Sequence, residues 1–98
     1  MTYDEFQRMV GEILEALRQE QLDRRLSPAL AWIAAERRAV AVKANECAAL
    51  YGGHTVTVAD VERVEARAIG HIDYSLKLAL YVAELVRDGT PSAQEAQT

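Results

Sequence analysis

The chain has one cysteine, Cys47, so no disulfide can form within it. Its apolar mid-helix setting suggests a small core residue in a reducing compartment. There is no basic excess either: eleven Lys and Arg face fifteen Asp and Glu, a net charge of −4. That balance disfavours general coating of nucleic acid, which needs cations to displace counterions. No apolar run approaches the ~18 residues of a membrane span. The start, Met1-Thr2-Tyr3-Asp4-Glu5, lacks the basic-then-apolar order of a signal peptide, so a cytoplasmic location is expected.

Catalytic and metal motifs are equally scarce. His54 falls in a loop and His71 on a helix, and neither stands at metal spacing from Cys47 or a pair of acids. No metal site and no cofactor is expected. Gly52-Gly53 is too short for a phosphate loop and lacks the lysine and hydroxyl that would follow. Cys47 has no histidine near it in sequence to act as base. His71 and Asp73, two apart on a helix, do not face each other. Gly70-His71 could mark close approach to a ligand, but a helix crossing at Gly70 with His71 at its rim is the plainer account. No catalytic residue is assigned, and an enzyme is not expected.

What remains is helical pattern. Half of the 98 residues are hydrophobic, which excludes disorder for the bulk of the chain. Thr2 and Glu5 form a capping box, with Met1 and Phe6 at the staple positions. Behind them Tyr3, Phe6, Val10, Ile13 and Leu17 make one packed face, widened by Met9 and Leu14. Ser27-Pro28 is a cap followed by a first-turn proline, so a second helix starts near Pro28 and runs to Tyr51. It is crowded with alanine, and its charges (Glu36, Arg37, Arg38, Lys43, Glu46) point in several directions. This is the signature of a central helix touched on more than one side. Gly52-Gly53 ends it. Thr57 with Asp60, and Val56 with Val61, then repeat the box and the staple.

From Thr57 to Arg87 the apolar stripe Val61, Val64, Ala68, Ile72, Ser75, Ala79, Val82, Val86 keeps phase through Gly70. The spacing predicts one long third helix, although a mid-helix glycine costs about 1 kcal/mol. A break at Gly70, with a fourth helix capped by Asp73, is the alternative. Past Gly70 the helix is apolar almost all round, with only Lys77 and Glu84 marking a wet strip. A helix of roughly thirty residues spans ~45 Å, and a domain of this size has a radius of gyration of only ~13 Å. The overhang predicts a partner, with Leu76, Leu78, Leu80, Tyr81 and Leu85 as the interface and a C2 homodimer as the simplest solution.

Basic residues cluster at the helix junctions and on the third helix. Arg63, Arg67 and His71 ladder at four-residue steps and could meet phosphates. The ordinary explanation is a solvated face with intrahelical pairs.

Two junctions carry a family likeness. Arg25-Leu26-Ser27 opens the second helix, and Gly53-His54-Thr55-Val56-Thr57-Val58-Ala59-Asp60-Val61 joins the second to the third. From about Phe6 to Ala68 this resembles the histone fold. The resemblance implies an obligate handshake dimer whose paired loops hold DNA phosphates, with Arg25, His54 and Thr55 nearest them. The second helix is about one turn short of that pattern, Gly53 stands where an arginine is expected, leaving Asp60 without its mate, the third helix is too long, and the charge is acidic. Those departures favour a histone-like assembly module over a DNA packager.

The expectation is therefore an all-α domain over residues 1–89 with a disordered tail, 90–98. It has three long helices, or four with a break at Gly70. It acts without catalysis as a homodimer that binds a further, unidentified protein. Contact with nucleic acid through Arg25, His54, Thr55, Arg63 and Arg67 is the alternative.

Overall fold

The computed structural model describes residues 1–23 and 29–89, without the side chains of 22, 23 and 29–33. Among them the chain forms four helices and no strand: α1 (Tyr3–Asp23), α2 (Ala29–Tyr51), α3 (Val58–Ala68) and α4 (Tyr74–Asp88). The Ser27-Pro28 junction, Arg25 and the tail lie outside the described residues.

The two start signals are present as expected. Thr2 N–H donates to Glu5 Oε1 (2.8 Å), and Glu5 N–H donates to Thr2 Oγ1 (3.1 Å). The first of these bonds holds the Glu5 carboxyl below its ordinary range. Thr57 and Asp60 exchange the same pair of bonds at the head of α3. Each box satisfies backbone donors that the first helical turn leaves open.

The single third helix does not form. The chain leaves α3 at Ile69, which is extended, and turns through Gly70 at φ +96°. That left-handed region is open to glycine and costly for a residue with a Cβ. Nothing lies within 4 Å of where a Cβ on Gly70 would sit, so the glycine serves the turn and not a helix crossing. His71 N–H closes the turn on Ala68 O (3.2 Å). Asp73 precedes α4, but its side chain makes no capping bond. Ile72, the one link that carried the stripe across Gly70, is fully exposed. The apparent continuity was two separate stripes, each facing the same core.

The break removes the overhang. A helix of ~45 Å would exceed the molecule's longest dimension of 40 Å, and the radius of gyration is 13.3 Å. Folded back, α4 packs on α1, α2 and α3. Leu78, Ala79, Val82, Ala83, Leu85 and Val86 join Phe6, Met9, Ile13, Leu17, Val40 and Ala44 in one core. Tyr3, expected on the packed face of α1, is exposed, because the helix begins beyond the end of that core.

The α2–α3 connection is pinned to the far end of α4. His54 N–H donates to Val86 O at 2.7 Å. A Cβ on Gly53 would stand 2.6 Å from Val86 Cγ1 and 2.6 Å from its carbonyl oxygen. No side chain fits there. Asn45 fastens the same loop, giving Nδ2–H to Val56 O (3.0 Å) and accepting Val56 N–H (2.7 Å).

Candidate interaction surface

Among the described residues, titratable groups meet at two junctions between helices. Between α1 and α2, Cys47 Sγ (3.5 Å) and Tyr51 OH (3.0 Å) both donate to Glu12 Oε2. Burial, and then the carboxylate beside it, push the Cys47 thiol up to about 12. A nucleophilic cysteine needs the opposite shift, since the thiolate is the reactive form. Between α2, α3 and α4, Arg37 lays a two-pronged bond on Glu65 (Nη2–Oε1 2.6 Å, Nε–Oε2 3.3 Å), with Glu62 near at 3.8 Å. Tyr74 leans on the same carboxylate, and burial pushes its hydroxyl up to about 12. Among the described residues no buried side-chain polar atom lacks a partner, and no three metal-binding groups converge.

The two arginines of the cationic ladder are occupied, and its third member, His71, lies off α3 in the turn that follows. Arg63 is bonded to Asp60. The Arg67 guanidinium lies over the Tyr81 ring, 4.3 Å from its centroid. Asp60 thus finds its arginine within its own helix, one turn on. His54 and Thr55 are exposed in the α2–α3 loop, at the opposite end of α3 from His71, which is exposed in the α3–α4 turn. Arg63 lies in the middle of α3 and Arg67 in its last turn, nearer His71, and their charges are held by Asp60 and Tyr81.

Of the five residues expected at an interface, the fold covers four. Leu78 and Leu85 are buried, and Leu80 and Tyr81 pack partly buried against the core. The covering is done by this chain's own helices, because α4 folds back at Gly70. Leu76 alone is well exposed, at 45%. With Ile69 and Ile72 it forms a small apolar edge at the α3–α4 turn.

A longer exposed apolar face lies on α2. Val42 is 58% exposed and Leu50 69%. Ala49 is exposed, and Ala35 and Ala39 are half-buried on the same side. An open groove of about 500 Å³ runs between this face and Ala16 and Glu20 of α1. Arg38, Lys43 and Glu46 edge it, with Lys43 Nζ 2.9 Å from a Glu46 carboxylate oxygen. This surface was not singled out in the sequence. Its trace there is the four-residue spacing of Arg38, Val42 and Glu46, obscured by alanines that point both inward and outward.

No protein family, curated protein or solved structure matches the chain. Among the described residues no helix is long and apolar enough to cross a membrane.

Proposed function

We propose that this protein is a non-catalytic helical assembly module that works as a homodimer. The observation that carries this reading is the outward face of α2, where Val42 and Leu50 stand in solvent amid small residues. Exposed branched side chains beside an open groove are the ground for reading this face as an interface, and two-fold pairing is the commonest way a chain covers its own surface. The chemistry of the buried groups supports the non-catalytic part. Cys47 is held as a neutral thiol, and the Arg37–Glu65 pair is spent on joining helices. The apolar edge of Ile69, Ile72 and Leu76 is left free by this reading for the further protein that the module binds.

Sedimentation equilibrium from low to high micromolar concentration tests the proposal. A mass moving from one chain of 10.9 kDa toward two is expected. A single-chain mass throughout overturns it.

A further inference from the structure

Resting on that reading, we infer that the dimer forms by antiparallel pairing of α2 with α2 of a second copy, with the two-fold axis passing between the two Val42 side chains. The argument is one of register and charge. At about 100° per residue, Ala35 and Ala49 lie about 20° to either side of Val42, and Arg38 and Glu46 about 40°. All five therefore share one outward stripe, and Arg38, Val42, Glu46 and Ala49 are exposed on it. The stripe is symmetric in size about Val42 and antisymmetric in charge.

An antiparallel two-fold places each residue a given number of positions before Val42 opposite the residue equally far after it. Arg38, four positions before, meets Glu46 of the second copy, four positions after. Glu46 meets Arg38 of the second copy by the same operation. Ala35 meets Ala49 at both ends of the seam, so the backbones approach closely. A parallel pairing sets Arg38 against Arg38 and Glu46 against Glu46, which is repulsive at both levels. The structure thus distinguishes the two orientations by charge. The groove beside the stripe, edged by Ala16 and Glu20 of α1, leaves room for the second helix. Lys43, bonded to Glu46 within one chain, flanks the seam.

The test is a charge swap read by sedimentation equilibrium, with helix content checked by circular dichroism. Arg38→Glu and Glu46→Arg each create two like-charge contacts across the axis, and each should weaken the dimer at least about tenfold. The double variant Arg38→Glu/Glu46→Arg restores the pairing and should restore the affinity. A second measurement does not depend on charge. Val42→Cys should form a covalent dimer on mild oxidation, and Leu50→Cys, far from the axis, should not. A native dimer that both single variants leave intact, or a double variant that stays as weak as the singles, overturns this register while leaving self-association standing. A native chain that is monomeric at high micromolar concentration overturns both.

Discussion

Arg37 and Glu65 join α2 to α3 through two parallel N–H···O bonds, the shorter at 2.6 Å, with Glu65 buried beneath the guanidinium. A planar fork on a carboxylate fixes orientation as well as distance. Arg37→Ala strands a buried carboxylate, and the expected loss is about 3 kcal/mol. Replacing both partners by apolar residues of similar volume should cost far less, because nothing charged is then left behind. Urea unfolding of the single and double variants measures the difference. Equal losses in the two would contradict this account.

Gly53→Ala should be more damaging than its size suggests. The added methyl falls 2.6 Å from the Val86 backbone oxygen, so the loop or the end of α4 must move. The His54–Val86 bond goes with it. We expect a loss of at least about 2 kcal/mol, in the range for overpacking and a broken buried bond together. Gly11→Ala is the control. Its site is empty within 4 Å, and alanine favours a helix, so it should be neutral or stabilising. Thermal melts of the two variants rank them.

The turn at Gly70 separates two isoleucines that look alike in sequence. Ile13 is fully buried and Ile72 fully exposed. Ile13→Ala should cost roughly 2–5 kcal/mol and Ile72→Ala less than about 0.5 kcal/mol. A large loss at Ile72 would indicate a continuous third helix, with that residue packed.

Stability should fall in alkali. Cys47 is raised from an ordinary 9.0, and Tyr74 from 10.0, each to about 12, mainly by burial. The fold favours both neutral forms. Their contribution is therefore complete below pH 9, where the unfolded chain also keeps its protons. It declines as pH rises toward 12, because the unfolded state ionises first. Cys47→Ala should flatten part of that decline, seen as a smaller drop in denaturation midpoint between pH 9 and pH 12. An unchanged slope would show that Cys47 does not carry it.

Local chemistry made much of this fold legible. The Thr2–Glu5 and Thr57–Asp60 boxes and the glycine end of α2 depend on contacts within a few residues, and each stands where its pattern placed it, as does the α1 face from Phe6 to Leu17, though not Tyr3. The α3–α4 turn was less legible because Ile72 sits at an interval that either a helix or a turn could supply. The same uncertainty displaced the candidate surface. Leu78 and Leu85 call for cover, but periodicity says only that cover is needed, not which helix provides it.

The sequence by itself determined that the chain is helical, where its helices start, and that the segment after Gly70 must be enclosed. Those properties follow from caps, from glycine conformation and from the amount of apolar surface along one helix. Only the tertiary structure decided who does the enclosing. Gly70 turns α4 back onto α1, α2 and α3, so the chain encloses that apolar helix itself. With α4 enclosed, the outward stripe of α2 and the edge of Ile69, Ile72 and Leu76 stay in solvent, which helical periodicity alone does not specify.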